Sequence, residues 1–304
     1  MERRTFLQLL GGGLMGLSFV AGPRMPAAGL PAEAGVPDPS LKKAVNLNMV
    51  QADLPLSDKF QLLKDLGFDG VELNSPNDLD RAAVLAAREK TGLRIHGVVD
   101  AVHWQQTLGD PDPAVRAAGR EGLVAAIEDA HAYGANTVLL VPAVVTQEIP
   151  YDQAYTRSQA EIRTVLPIAE ENEIIIAVEN VWNRFLYSPL EMTRYIDELE
   201  SPWVRSYFDV GNVVTFGWPE QWIRILGTRI AKVHIKEYSR AKRDAEGPYA
   251  GFKVPLGEGD VDWAAVRAAL QAEGYLGWAT AEVPGGDPER LREIASRMNR
   301  LLHL

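Results

Sequence analysis

The chain is 304 residues long, has no cysteine, and sets 31 lysines and arginines against 41 aspartates and glutamates, a formal charge of −10. That length buries a large core without covalent staples, and the missing cysteines exclude disulfides and thiolate metal sites. The acidic balance opposes the counterion release that drives nucleic-acid binding, and beyond the N-terminal stretch there is no charge-free apolar run of about 18 residues to span a membrane.

Glu2-Arg3-Arg4-Thr5-Phe6-Leu7-Gln8 reads as a twin-arginine export motif, followed by a weakly apolar stretch from Leu9 to Gly22 and a Pro/Ala-rich tail. Ala32-Glu33-Ala34 offers a small-x-small cleavage site, so residues 1–34 are expected to be a signal peptide; the alternative is a short membrane anchor that is never cut. Residues 35–304 then form one domain of about 270 residues, close to the ~250 typical of a barrel of eight strands and eight helices. Export through the twin-arginine machinery implies a periplasmic or otherwise exported protein that folds, and takes up any metal, before translocation.

Strands and helices alternate along the rest of the chain. AVNLNMV (44–50) predicts the first strand, followed by a helix over 57–66 with Ser57 as N-cap and Gly67 as stop. GVELN (70–74), a helix over 78–90, RIHGVVD (94–100), a helix over 113–133, TVLLVPA (137–143) and a helix over 151–171 complete the first half. IIIAVEN, a helix over 188–199, VRSYFDVGN, a helix over 219–226, IAKVHIKEY, a helix over 261–273, GWATAEV and a helix over 287–301 make the second. The near-continuous apolar strands suit a parallel sheet covered by helices. DLGFDG, AYGAN and AEGYLG place glycine where a helix stops and the chain re-enters the sheet. No glycine-rich phosphate loop follows the first strand, so a closed (β/α)8 TIM barrel is expected over an open doubly wound sheet.

Four strands of the second half end in residues that bind divalent cations: Glu179, Asp209, His234 and Glu282. In a barrel of this kind the strand C-termini converge on the catalytic face. Three carboxylates and one imidazole suit manganese, with magnesium, cobalt or zinc as alternatives. On the same face Glu72 ends the second strand and can orient a neighbour or bind a hydroxyl. His103 with Trp104, and Trp182, follow strands where an aromatic can stack on a ring of the substrate. Lys236 shares the face of His234 by alternation and can neutralise an oxyanion. His96 sits mid-strand as a core residue, and His131 and His303 fall on helices. No Ser/His/Asp triad, phosphate loop or cysteine site can be assembled.

GVELN, AVEN, FDVGN, VHIKE, PLGEGDVDW (255–263) and the final AEV together resemble the sugar phosphate isomerase/epimerase superfamily, the xylose isomerase-like barrels that include ketose 3-epimerases, hydroxypyruvate isomerases and inosose dehydratases. The resemblance covers the whole chain after the signal segment. It implies that Glu179, Asp209, His234 and Glu282 hold the metal, which chelates a carbonyl oxygen and a neighbouring hydroxyl, and that Glu179 and Glu282 transfer protons from opposite sides of the substrate. It also implies a substrate-holding role for Arg240, six residues after His234. Two positions depart from the ketose 3-epimerase pattern. Phe185-Leu186 stand where a further glutamate is common, and Asn212 stands where a histidine is common; an amide binds substrate but does not shuttle protons near neutral pH.

The expected function is therefore an exported, metal-dependent sugar isomerase or epimerase acting on a sugar or keto-sugar by proton abstraction beside a carbonyl. Two alternatives remain: a lyase or hydratase on a keto-sugar or 3-keto-glycoside using the same chemistry, and a non-catalytic exported sugar- or metal-binding protein. An endonuclease on this fold would need more than five histidines and a basic groove. A homo-oligomer is expected only by analogy with other barrels.

Overall fold

The computed structural model describes residues 41–304. The twin-arginine motif and the Ala32-Glu33-Ala34 cleavage site lie outside the described residues. Eight parallel strands close into a barrel in chain order: β1 (Lys42–Asn46), β2 (Gly70–Ser75), β3 (Arg94–Asp100), β4 (Thr137–Leu140), β5 (Ile175–Glu179), β6 (Val204–Asp209), β7 (Ile230–Ile235) and β8 (Trp278–Ala281), with β8 paired back to β1. Helices α1 (Leu56–Asp65), α2 (Arg81–Thr91), α3 (Pro113–Tyr133), α4 (Tyr151–Glu171), α5 (Pro189–Asp197) and α6 (Pro219–Leu226) follow the first six strands. After β7 come α7 (Arg240–Glu246) and α8 (Trp263–Ala272), and after β8 comes α9 (Pro288–Leu302). Among the described residues no helix is long and apolar enough to cross a membrane.

The helices begin where side chains satisfy their free N–H groups: Asp80, Asp112, Ser188, Asp262 and Asp287 each accept a backbone N–H of the first turn. Gly67, Gly134 and Gly274 take φ of 78°, 72° and 68°. These are the three turns in which glycine was expected to stop a helix, and a side chain there would be strained.

Local differences from the expected elements have simple causes. The first strand ends at Asn46 because its side chain accepts the Asn48 N–H and turns Leu47–Met49 into a 3₁₀ turn. Ser57 is not an N-cap: α1 starts one residue earlier, after Pro55, and the Ser57 hydroxyl accepts Lys90 Nζ instead. Helix α7 forms in the stretch between IAKVHIKEY and the helix over 261–273, where no element is expected from the sequence. Ser239 caps it by accepting the Lys242 N–H, and Gly247, at φ 98°, ends it.

The main core lies between the barrel and its helices, with Phe60, Leu63, Leu123, Ile127, Ile162, Tyr195, Ile223 and Met298 fully or almost fully buried against outward-facing strand residues. Ile175 and Ala177, on the same face of β5 as Glu179, pack in a separate small cluster with Leu139 and Tyr207. One polar layer in the barrel is built around Trp278, with His96 stacked on its ring at 4.5 Å and the Lys232 ammonium 5.5 Å from it. His96 is thus a core residue, as its mid-strand position implied.

Candidate active site

Register brings the four ligand candidates together. Between β6 and β7 the pairing slips by one residue at Ser206/Tyr207, which sets Asp209 opposite His234. His234 in turn pairs with Thr280, two residues before Glu282. Candidate donor atoms of Glu179, Asp209, His234 and Glu282 consequently all lie within 4.8 Å of one another.

His234 Nδ1 is 2.8 Å from Glu179 Oε1 and 3.0 Å from Glu282 Oε2. The Lys236 ammonium is 3.1 Å from Asp209 Oδ2 and 2.8 Å from Glu282 Oε2. Asp209 is fully buried, and its Oδ2 has that ionic contact but no aligned hydrogen bond. Burial pushes the Asp209 carboxyl up to about 8 against the pull of Lys236, with Glu282 and Glu179 adding to the rise. Burial and the Glu282 charge likewise raise Glu179. Burial would raise Glu282 too, but Lys236 and His234 hold it well below the usual carboxylate range. Burial disfavours a charged His234, yet Glu282 and Glu179 keep its pKa well above that of a free imidazole. Such crowding of acidic oxygens around one imidazole nitrogen, with a buried oxygen lacking an aligned donor, fits a divalent cation of the oxygen-preferring kind. Glu282 has the most open flank of the four, its side chain 42 % exposed.

Behind the cluster, Glu72 Oε2 is 3.6 Å from His234 Nε2, an electrostatic contact longer than a hydrogen bond. The Tyr207 hydroxyl lies 3.0 Å from both Glu72 Oε1 and Thr280 Oγ1, and the Tyr207 ring packs 4.2 Å from the imidazole. With a single proton to give, Tyr207 donates to the carboxylate and accepts from Thr280.

Asn180 and Asn212 fix the loops that carry the acids. Asn180 exchanges two hydrogen bonds of 2.9 Å with the Asp209 backbone. Asn212 donates its N–H to Asp209 Oδ1 at 2.7 Å and its amide to Asn180 O at 3.0 Å, while its Oδ1 lies 3.4 Å from Lys236 Nζ. Its own carbonyl accepts Trp182 Nε1. A side chain at Gly211 would meet Lys236 at 2.8 Å, so glycine is needed for the lysine to reach the cluster. Glu237, almost wholly buried, accepts the N–H groups of Tyr238, Gly257 and Val261 and the Trp263 indole, and so ties down the PLGEGDVDW segment.

A cavity of about 550 Å³ opens onto the cluster, lined also by Glu72, His103, Trp104, Trp182, Asn212, Lys236, Tyr249 and Phe252. Trp182, Tyr249 and Phe252 form one aromatic wall, with ring centroids 5.3 and 4.8 Å from Trp182. His103 Nδ1 accepts the Val141 N–H, which leaves the proton on its other nitrogen, and burial lowers its pKa to about 4.

Residues 60–301 match the model of the family described as xylose isomerase-like TIM barrel. The chain belongs to that family. It is 28% identical over 283 residues to L-ribulose-5-phosphate 3-epimerase UlaE of Salmonella paratyphi C (strain RKS4594), covering 85% of this chain and 96% of the relative. Among solved structures it is similar in fold to 3-keto-D-glucoside 4-epimerase YcjR from E. coli, with a TM-score of 0.72, 18% identity, and 87% and 100% of the two chains covered. It is also similar to D-allulose 3-epimerase from Methylomonas sp. in complex with D-allulose, with a TM-score of 0.68, 20% identity, and 86% and 97% covered.

Within this xylose isomerase-like barrel, Arg240 is not at the cavity. It opens α7, and its guanidinium donates to Val214 O and Gly217 O and lies 6.0 Å from the Trp218 ring centroid. The substrate-holding role expected for it is not supported by this placement; its guanidinium braces the loop after β6. Phe185 packs against Tyr151, Tyr155 and Tyr195, and Leu186 is buried with φ of 54°. Neither position can bring a carboxylate to the cluster without unpacking that aromatic group. Asn46, Asn48 and Asn74 also line the cavity; they lie in the AVNLNMV and GVELN strands, where no role was assigned to them.

Proposed function

We propose that this protein is a divalent-metal-dependent sugar epimerase or isomerase that moves a proton at a carbon beside a carbonyl. The observation that carries this is the convergence of Glu179, Asp209, His234 and Glu282 at the floor of an aromatic-walled cavity. The reactions named for the sequence relative and for the structural neighbours, all sugar epimerisations, support the same class.

Glu179, Asp209, His234 and Glu282 would hold the cation, and manganese suits their donor atoms. A bound divalent cation supplies Lewis-acid polarisation of the carbonyl and a neighbouring hydroxyl, acidifying the intervening C–H. Glu179 and Glu282 arrive from β5 and β8, with β6 and β7 between them, so one carboxylate removes the proton and the other returns it from a different side. Trp104 and Trp182 stack on the sugar, His103 donates a hydrogen bond as a neutral imidazole, and Asn212 holds Asp209 and Lys236 in place. Arg3 and Arg4 support export by the twin-arginine route to the periplasm or beyond.

Incubation of the manganese-loaded protein with keto-sugars and 3-keto-glycosides in deuterated water, followed by NMR, tests the reaction class. Deuterium beside the carbonyl with the skeleton retained is the expected result. Release of an aglycone or of water would make the enzyme a lyase or hydratase. No exchange with any of these compounds, and a Glu282→Gln variant that binds them as the parent does, would leave a binding protein.

A further inference from the structure

We infer that the substrate is an uncharged glycoside whose sugar ring lies over the acidic cluster and whose apolar aglycone fills a second cavity beside it; this rests on the sugar-epimerase reading. The first observation concerns charge. Among the described residues Lys236 is the one lysine or arginine lining the cluster cavity, and its ammonium is held by Asp209 and Glu282, as the His234 imidazole is held by Glu179 and Glu282. The nearby guanidiniums that a phosphate would need are committed: Arg240 to Val214 O and Gly217 O, and Arg243 to Asp244 and Thr215 O. A phosphate in that cavity would sit beside four acidic side chains, Glu72, Glu179, Asp209 and Glu282, which already outweigh the Lys236 ammonium together with one divalent cation, a costly burial. The polar groups offered instead are the neutral amides of Asn46, Asn48 and Asn74, which match sugar hydroxyls.

The second observation is a cavity of about 680 Å³ between the loops that follow β1 and β2. It meets the first at two shared residues, Asn48 and Asn74. At that junction Asn46 Nδ2 donates to Asn74 Oδ1 at 3.0 Å and Asn46 Oδ1 accepts the Asn48 backbone N–H at 2.9 Å, so the side-chain amides of Asn46 and Asn74 stand fixed. Leu47, Val50, Leu54, Leu56, Leu73 and Leu79 line the second cavity, and its charged members, Lys59 and Asp78, are of opposite sign. Leu54 and Leu79 remain 37% and 38% exposed. An apolar group joined directly to a sugar held over the cluster reaches this cavity past the two amides, and burial of the leucines favours it.

Calorimetric binding to the manganese-loaded full chain, with the methyl glycoside, the phenyl glycoside and the phosphate ester of one keto-sugar, tests this. The phenyl glycoside is expected to bind about tenfold tighter than the methyl glycoside, and the phosphate ester no tighter than the free sugar. Leu54→Asp combined with Leu79→Asp should bring the phenyl-to-methyl ratio to about twofold or less; should that pair unfold, Leu79→Asn alone should lower it. Equal binding of the two glycosides by the parent, tightest binding of the phosphate ester, or a ratio unchanged in folded variants would overturn the inference. Deuterium exchange on free keto-sugars without any phenyl preference would remove the aglycone site and leave the epimerase reading intact. A phenyl preference without exchange on any keto-sugar would do the reverse.

Discussion

Glu72 stands behind His234, its Oε2 3.6 Å from the imidazole Nε2, while Nδ1 faces Glu179 and Glu282. A carboxylate on the far side of an imidazole favours the proton there and leaves the near nitrogen's lone pair free for a cation. Glu72 is itself held by Tyr207. Replacing Glu72 with Gln should therefore weaken manganese binding about 10–100-fold. Titration calorimetry of the folded variant reads this directly, and an affinity equal to the parent's would mean that Glu72 does not position His234.

Metal uptake should release protons. In the metal-free cluster the Asp209 carboxyl is raised to about 8 by burial, Glu179 is raised, and His234 is held protonated by its two carboxylates. Each favours a bound proton that a cation must displace, so the apparent affinity should climb with pH from about 6 through about 8, where the Asp209 carboxyl gives up its proton. Calorimetry at pH 6.5, in buffers of different ionisation enthalpy, measures the protons released. Uptake of protons, or none exchanged, would contradict these charge states.

Lys236 balances the metal-free cluster and should compete with the ion for it. Lys236→Met removes the ammonium from Asp209 and Glu282 and should destabilise the metal-free protein by about 3 kcal/mol. Added manganese should restore much of this, so the gap in Tm between metal-loaded and metal-free protein widens relative to the parent. Thermal unfolding with and without chelator decides it; an unchanged gap would place Lys236 outside the cation's field.

Glu237 acts on the loop, not on the ion. Its carboxylate accepts three backbone N–H groups and the Trp263 indole. Glu237→Ala should lower stability by about 3 kcal/mol through unsatisfied buried donors, while manganese affinity changes less than in Glu72→Gln. Chemical denaturation alongside metal titration separates the two effects.

The strand ends were legible because their chemistry is local. A β-branched run ending in Glu, Asp or His states both the strand and the face; alternation put Lys236 on the side of His234, and its place at the end of the second strand put Glu72 on the same face. What depends on loop conformation was not. Arg240 has the expected spacing, but Ser239 starts a helix that turns its guanidinium to Val214 and Gly217. Glu237 lies three residues after the ligand candidate His234 in VHIKE, yet its role emerges only when Gly257, Val261 and Trp263, 20 to 26 residues later, fold back onto it. Asn180 was visible in AVEN, but its reciprocal bonds with Asp209 need β5 and β6 side by side. The proposed export rests on the sequence around Arg3 and Arg4, outside the described residues.

In the proposed reaction one cation held by Glu179, Asp209, His234 and Glu282 activates a carbon-bound proton of a sugar. The most direct test is the rate of deuterium incorporation into a keto-sugar substrate before exhaustive chelation, after it, and after manganese is added back. Exchange should be lost on chelation and recover with manganese in the parent, but should not recover in Asp209→Asn. Exchange that persists undiminished in the chelated protein, or that returns fully in Asp209→Asn, would contradict this role of the cation.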